Sequence, residues 1–247
     1  MTGQLLVRGM LVGLLAGLLA FGFAKVFGEP QIDQAIAFEE HHMSAMHGDA
    51  PEEELVSRAV QSTFGLFTGI LVYSISLGGI FALVFAYTLG RAGNIGPRGL
   101  AALLALAAFV AIILVPGLKY PANPPSIGDP ETIGKRTKLF FLMMLLSVAA
   151  MVIAINAARK LIATRGVWNG ALLAVALYAV IMVLAAAMFP VVNEVPADFS
   201  ATLLWKFRVA SLGIQIVLWT TVGLAFGWLA ERKLNPVNSP PRTKLQS

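Results

Sequence analysis

QSTFGLFTGILVYSISLGGIFALVFAYTL, residues 61–89, is a stretch without a charged side chain that decides the fold class of this chain. A helix needs roughly 20 mostly apolar residues to cross the hydrocarbon core of a bilayer. In lipid, only helices and closed barrels satisfy every backbone polar group, and the stretch lacks the alternation of a barrel strand. It therefore predicts a transmembrane helix.

Five more stretches have the same character, and the composition supports the same fold class. Apolar residues make up 57% of the chain and charged residues 13%, against about 25% charged in a soluble domain. We predict an all-α integral membrane protein with six transmembrane helices in three hairpins. They form a single domain over residues 1–234, followed by a flexible cytoplasmic tail at 235–247. The predicted spans are about 5–27, 61–89, 99–118, 138–158, 167–189 and 207–230.

Lysine and arginine set the orientation, because the cytoplasmic loops of membrane proteins carry an excess of both. The two termini and the short turns 90–98 and 159–166 hold ten basic residues and one acidic residue, a net charge of +9. The other side holds eight basic and twelve acidic residues, a net charge of −4. We therefore predict that both termini are cytoplasmic. Because topology accounts for the positive charge, lipid is the predicted partner and nucleic acid is not.

The first outer loop, residues 28–60, is compatible with a short helix and gathers the residue types that bind transition metals. All three histidines of the chain fall within seven residues of this loop. Imidazole, carboxylate and thioether groups are ligands of first-row transition metals. In a helix, Met43 and His47 would share one face, and His42 and Met46 the adjacent one. The candidate metal ligands are Glu39, Glu40, His41, His42, Met43, Met46 and His47.

The alternative interpretation of this loop is a solvated acidic segment without a bound ion. A short His-rich tract is a compositional sign of metal binding and no more specific than that. The concentration of every histidine in one place favours the metal interpretation. Such a loop would capture and release an ion rather than hold it as a structural site.

The second and third outer loops, 119–137 and 190–206, offer carbonyl, amide and carboxylate oxygens. They are rich in proline, which fixes the backbone and removes amide donors. Asn123, Asp129, Asn193 and Glu194 are candidates for an ion path at the outer mouth. A plain rigid turn is the alternative interpretation.

Inside the predicted spans, Asn156 and Gln215 would continue that path. Arg136 and Arg208 stand at the outer start of helices, where a charge usually contacts protein or water or extends to the interface. We expect them to pair with the acidic residues of the outer loops and to brace these loops. Extension of the long side chains to the membrane surface is the alternative.

Enzymatic chemistry is not expected from this sequence. Cysteine is absent, which excludes thiol chemistry. Every histidine lies in the first outer loop, so the predicted transmembrane helices contain no histidine that could bind haem or a diiron centre. Residues 128–135 imitate a phosphate-binding loop, but five residues separate the two glycines where four are required. No permanently bound cofactor is predicted.

The outer loops carry a resemblance to a known family. The sequence resembles the predicted cobalt transporter subunit family CbtA of bacteria over about residues 5–233. The stretches that carry the resemblance are LKYPANPP (118–125), GDPETIG (128–134), NEVP (193–196), LWKFR (204–208) and SLGIQ (211–215).

The resemblance implies a multi-pass protein of the bacterial inner membrane that takes part in Co²⁺ uptake for cobalamin synthesis. It also implies a small single-span partner with a His-rich end, the CbtB subunit. A homo-oligomer is compatible with the sequence as well. Two alternatives stay open: a membrane scaffold or assembly factor that transports nothing, and a carrier for Ni²⁺ or another divalent ion.

Overall fold

The computed structural model describes residues 2–47, 56–125, 127–128 and 130–234, and within these ranges it leaves out the side chains of 42–47 and Pro130. The described residues form helices and loops without a strand. The C-terminal tail and the acidic stretch after His47 lie outside them. The helices are α1 (Thr2–Phe23), α2 (Glu29–His47), α3 (Arg58–Val60), α4 (Leu66–Thr88), α5 (Pro97–Ala108), α6 (Val115–Lys119), α7 (Ile133–Met188) and α8 (Ala201–Leu234).

Two π-helical turns connect consecutive helices directly before a proline. Ala24–Gly28 joins α1 to α2, and Phe109–Leu114 joins α5 to α6. In both cases the second residue of the next helix is a proline, Pro30 or Pro116. Proline cannot donate to the carbonyl four residues earlier, and its ring clashes with that carbonyl. We attribute the wider turns to this missing hydrogen bond, since π-turns commonly interrupt helices at such places.

Because of the first π-turn, the helical structure continues to His47, beyond the predicted end of the first span at residue 27. The sequence predicts a loop at residues 28–60 in which a short helix is possible. The structure has a helix of 19 residues there, Glu29–His47. The difference arises because the segment is polar, so hydropathy does not reveal a helix that extends past the membrane.

The chain folds into two compact units. The single domain over residues 1–234 stays a prediction. The first unit comprises residues 1–22, 57–106 and 216–247. In it, Gly9, Gly13 and Gly17 lie directly against α4, where a Cβ on Gly13 would overlap the carbonyl oxygen of Ser74. The rings of Phe85 and Phe226 are fully buried, with centroids 5.0 Å apart. Small residues thus allow close helix packing, as is typical of helices in lipid.

Glycines spaced four residues apart, as Gly9, Gly13 and Gly17 are, occur at two further places, Gly65/Gly69 and Gly223/Gly227. These two pairs differ from each other in their packing. A Cβ on Gly223 would lie 2.7 Å from the Cβ of Ala105, so this glycine also packs against a neighbouring helix of the first unit. Gly69 has nothing within 4 Å of the position of a Cβ, and for Gly65 the nearest atom is the carbonyl oxygen of Val60, at 3.6 Å. The pattern therefore identifies a packing surface at two of the three places where it occurs.

The second unit comprises residues 23–56 and 107–215, and its central element is the 56-residue α7. Gly166 has φ 79° and ψ 166°, a backbone conformation that favours glycine and that interrupts the helix. The hydroxyls of Ser147 and Tyr178 hydrogen-bond at 2.7 Å. In a straight helix these two residues would be about 46 Å apart. The chain therefore reverses at Gly166, and the two halves of α7 pack antiparallel.

Five helical segments of the described chain are long and apolar enough to cross a membrane. The predicted fourth and fifth spans, 138–158 and 167–189, fall in one of them, α7, on either side of Gly166. The segments are Thr2–His41, Arg58–Thr88, Pro97–Lys119, Ile133–Met188 and Ala201–Leu234.

Candidate functional site

The second unit contains an open cavity of about 870 Å³, formed by segments that are far apart in the sequence. Its walls are the end of α6, the Pro-rich loop after it, the start of α7, the loop before α8 and the first turns of α8. Of the site residues predicted from the sequence, six line this one cavity: Asn123, Arg136, Asn193, Glu194, Arg208 and Gln215.

Arg208 connects α8 to the Pro-rich loop. Its Nε donates to the carbonyl oxygen of Ala122 at 3.2 Å, and its Nη2 donates to Oδ1 of Asn123 at 2.8 Å. The prolines of this loop have no N–H, so nearby carbonyls lack backbone donors. The sequence predicts a carboxylate as the partner of Arg208, whereas the structure pairs it with a side-chain amide oxygen and a backbone carbonyl oxygen. A planar guanidinium satisfies both at once.

Arg136 connects the start of α7 to the loop before α8. Its Nε lies 3.2 Å from Oε2 of Glu194, and both side chains are largely buried. The guanidinium also lies directly over Gly128, where a Cβ would overlap it. Gly128 has φ 118°, which disfavours a side chain in any case. The glycine is therefore required twice, by its backbone conformation and by the arginine that covers it.

Tyr120 is a third link between the loops, and the sequence analysis assigned it no role. Its hydroxyl donates to the carbonyl oxygen of Pro190 at 2.8 Å. Burial raises the pKa of Tyr120, so the hydroxyl keeps the proton that it donates. The signal that could have identified it is its position at the end of an apolar helix, where a tyrosine can bury its ring and pair its hydroxyl.

Gln215 and three aromatic residues also line the cavity. Oε1 of Gln215 is buried and has no hydrogen-bond partner among the described residues. Phe140, Phe141 and Trp205 contribute apolar surface to the same walls. Sequence analysis missed these aromatics, because in a membrane protein they cannot be distinguished by type from residues that contact lipid.

One predicted path residue, Asn156, does not line the cavity, and a second, Asp129, cannot be compared with it. The Nδ2 of Asn156 donates to the carbonyl oxygen of Val152 in its own helix, and the side chain is exposed. Asn156 is not among the residues that line the cavity. Asp129 lies outside the described residues.

The predicted metal ligands of the first outer loop are described only in part. Glu39, Glu40 and His41 are exposed on α2. The side chains of His42, Met43, Met46 and His47 lie outside the described ones. Among the residues that are described, no group of three or more His, Asp or Glu side chains is close enough to hold a metal ion. The metal site at the end of α2 stays a prediction.

The described residues that line the cavity carry a small net positive charge. Among its described lining residues, the charged ones are Arg136, Arg208 and Glu194, two guanidinium groups and one carboxylate. The net formal charge is therefore +1. The rest of the lining is apolar or neutral, with amides, hydroxyls and backbone carbonyls as its polar groups.

The long apolar helices define a multi-pass membrane protein, and its second unit contains an open cavity with a few polar groups in its walls. The family model described as "Probable cobalt transporter subunit (CbtA)" matches residues 2–231 of the 247, and the chain belongs to this family. No curated protein and no solved structure matches the chain. The protein is thus a subunit of a membrane transporter, with cobalt as the ion of its family, and a subunit implies partner subunits.

Proposed function

We propose that this protein imports Co²⁺ across the bacterial inner membrane for cobalamin synthesis. The observation that carries the proposal is the family match over nearly the whole chain. The cavity supports it, because it gathers the oxygen-bearing loops at one place. A transporter subunit has no need of catalytic residues, and we assign none.

We propose six membrane crossings with both termini in the cytoplasm. The reversal at Gly166 supports this number, because it turns α7 into two antiparallel helices. Each half is long enough to cross a bilayer of roughly 30 Å at 1.5 Å per residue. The basic residues Arg159, Lys160 and Arg165 directly precede the reversal, as expected of a cytoplasmic turn.

The end of α2 is the proposed place of ion capture. There His41, His42 and His47, with Glu39 and Glu40, would collect the ion outside the membrane. The helical backbone up to His47 supports this role. Residues four apart share a face of a helix, so Met43 would stand beside His47.

From there the ion would pass the oxygens of Asn123, Asn193 and Glu194 towards Gln215. Asp129 would assist at the outer mouth. The exposed position of Asn156, bonded to its own helix, does not support a role in this path. The membrane potential can drive entry of the free cation, because a positive charge that moves into a negative interior gains about 2.3 kcal/mol per 100 mV. A divalent ion gains twice that.

The partner that we propose is a small single-span subunit with a His-rich end, of the CbtB type. Such a subunit would supply imidazole ligands that the membrane-embedded part of this chain does not contain, since all its histidines lie between residues 41 and 47.

The test is uptake of radioactive cobalt by cells that lack other cobalt importers. Cells with this protein are compared with empty cells, each with and without the His-rich subunit. We expect uptake above empty cells, and a sharp decrease when His41, His42 and His47 are all replaced by alanine. Gln34→Ala is the matched control, because Gln34 is exposed on the same helix and is not a predicted ligand.

Three results would contradict the proposal in whole or in part. Uptake equal to that of empty cells under every condition would favour the scaffold or assembly role. Uptake of Ni²⁺ in preference to Co²⁺ would assign the protein to another metal. Normal cobalt uptake by the triple histidine variant would remove the capture role from α2 and leave the transport function.

A further inference from the structure

We infer that the cavity of the second unit binds the metal as an anionic complex with a small carboxylate-bearing chelator, and not as the bare hydrated ion. The inference rests on the proposed function, since it names the form in which the transported metal arrives at the cavity. The free cation that the membrane potential drives inward would leave the chelate there. Its evidence is the size of the cavity, the sign of its charge and the arrangement of its donors.

The cavity is larger than a hydrated ion alone requires. Six water ligands occupy on the order of 180 Å³, because each water takes about 30 Å³ in the liquid. The cavity measures about 870 Å³, which is within the range of roughly 300–1,000 Å³ typical of pockets for small organic ligands. Such pockets have mostly apolar walls with a few convergent polar groups, as Phe140, Trp205 and the two arginines provide here.

The charge of the described lining opposes a bare cation. Arg136 and Arg208 both contribute to the walls, and an arginine does not lose its proton in a protein. The one carboxylate among the described lining residues, Glu194, is already paired with Arg136 at 3.2 Å. A hydrated Co²⁺ would have to compete with a guanidinium for this carboxylate. An anionic complex would be attracted to the same walls.

Arg208 is held in place to receive a carboxylate. Its contacts with Ala122 and Asn123 use two of its five N–H groups and fix the plane of the guanidinium. An arginine fixed in this way can bind a carboxylate with little further loss of side-chain entropy. The buried Oε1 of Gln215 is an acceptor, so a hydroxyl of the chelator or a metal-bound water could donate to it.

The test measures binding of two probes to the purified full-length protein in nanodiscs of zwitterionic lipid. One probe is CoCl₂ in a non-coordinating buffer, and the other is the negatively charged Co²⁺–citrate complex. Isothermal titration calorimetry gives the affinity for each. We expect Co²⁺–citrate to bind more tightly than CoCl₂.

Three variants separate the two forms of the metal, because charge changes affect them in opposite directions. Arg208→Gln should weaken binding of Co²⁺–citrate about tenfold, as expected for loss of a charge-assisted hydrogen bond. It should leave CoCl₂ binding unchanged or tighter. Lys206→Gln removes the same charge from an exposed position of the same helix, outside the cavity, and should change neither affinity.

Asn193→Asp is the third variant and keeps the arginine contacts intact. It adds a carboxylate to the cavity wall almost without change of shape. We expect weaker binding of Co²⁺–citrate and tighter binding of CoCl₂. Thermal unfolding of each variant identifies any that fail to fold.

Tighter binding of CoCl₂ than of Co²⁺–citrate would overturn the inference, as would binding of neither probe. Equal weakening of both probes by Arg208→Gln would also overturn it. Uptake by cells distinguishes this failure from that of the proposed function. If cobalt uptake changes neither with added citrate nor in Arg208→Gln, the inference that the cavity binds a chelate is wrong. The proposal that the protein is a cobalt transporter would still stand. Absence of any uptake removes the transport proposal, and the affinities still decide what the cavity binds.

Discussion

Arg208 and Asn123 are separated by 85 residues, and Nη2 of the arginine lies 2.8 Å from Oδ1 of the asparagine. The same guanidinium donates to the carbonyl oxygen of Ala122. The guanidinium of Arg208 thus holds the proline-rich loop in place through hydrogen bonds to uncharged oxygen atoms of that loop. Since Arg136 and Tyr120 form two further links to the loop before α8, the outer wall of the cavity is fixed by three side chains.

Loss of the Arg208 contacts should destabilise the protein measurably. We expect Arg208→Gln to lower the free energy of unfolding by about 1–2 kcal/mol, because two hydrogen bonds from a charged group to partly exposed acceptors are lost. Thermal unfolding in detergent, followed by circular dichroism, measures the change. Lys206→Gln should leave the unfolding temperature unaltered, because Lys206 is exposed. Equal unfolding temperatures for both variants would show that Arg208 does not brace the loop.

Gly128 should not tolerate a side chain. We expect Gly128→Ala to cost about 1–3 kcal/mol, because alanine is strained at φ 118° and its Cβ would displace Arg136. Gly134→Ala is the matched control, since nothing lies within 4 Å of its Cβ position. Gly134 is helical, so alanine there should be neutral or slightly stabilising. Chemical unfolding of the two variants side by side tests the difference.

The close contact between α1 and α4 predicts opposite effects for two glycines of α4. A Cβ on Gly78 would overlap the carbonyl oxygen of Gly9, whereas Gly69 has open space. Gly78→Ala should destabilise by about 1–3 kcal/mol through overpacking. Gly69→Ala should gain up to about 1 kcal/mol from helix propensity. A Gly78→Ala variant as stable as the wild type would mean that the helices separate at no cost.

The hydrogen bond between Ser147 and Tyr178 should contribute modestly to the pairing of the two halves of α7. A double-mutant cycle of Ser147→Ala and Tyr178→Phe measures the coupling free energy of the two hydroxyls. We expect about 0.6 kcal/mol, the average for such bonds between helices in a membrane. A coupling energy near zero would leave the surrounding cluster, with Met143 and Met182, as the source of the pairing.

The sequence predicts most of the helical framework, because hydropathy and the positions of lysine and arginine reflect the membrane directly. The reversal near Gly166 is within the predicted turn 159–166. The sequence indicates only a possible short helix in residues 28–60. The continuous helix to His47 could not be predicted, since the polar residues of α2 give no hydropathy signal. Pro30 and Pro116 are local signals of the two π-turns, but no helix interruption is predicted from them in the sequence analysis.

Several residues that line the cavity could be predicted from the sequence, but the partners that they contact could not. Arg136 and Arg208 stand out because charges near a span need partners. Which partner each one contacts depends on how the loops fold over them. A long arginine side chain reaches several acceptors, and Arg208 contacts Asn123 where the sequence suggests an acid. Asn156 shows that a polar residue in a predicted span does not always contact another segment. Its side chain donates a hydrogen bond to a carbonyl oxygen of its own helix.

The reversal at Gly166 also bears on how the chain is made. The two halves of α7 are adjacent in the sequence, so their contacts close only a short loop. Ribosomes add about 5–20 residues per second, and the 56 residues of α7 therefore emerge within roughly 3–11 seconds. The hairpin can form before Ala201–Leu234 is synthesised, and the last helix is then added to a preformed surface. Biosynthesis and membrane insertion of this unit can thus proceed pair by pair, with Arg208 the last of the bracing residues to arrive.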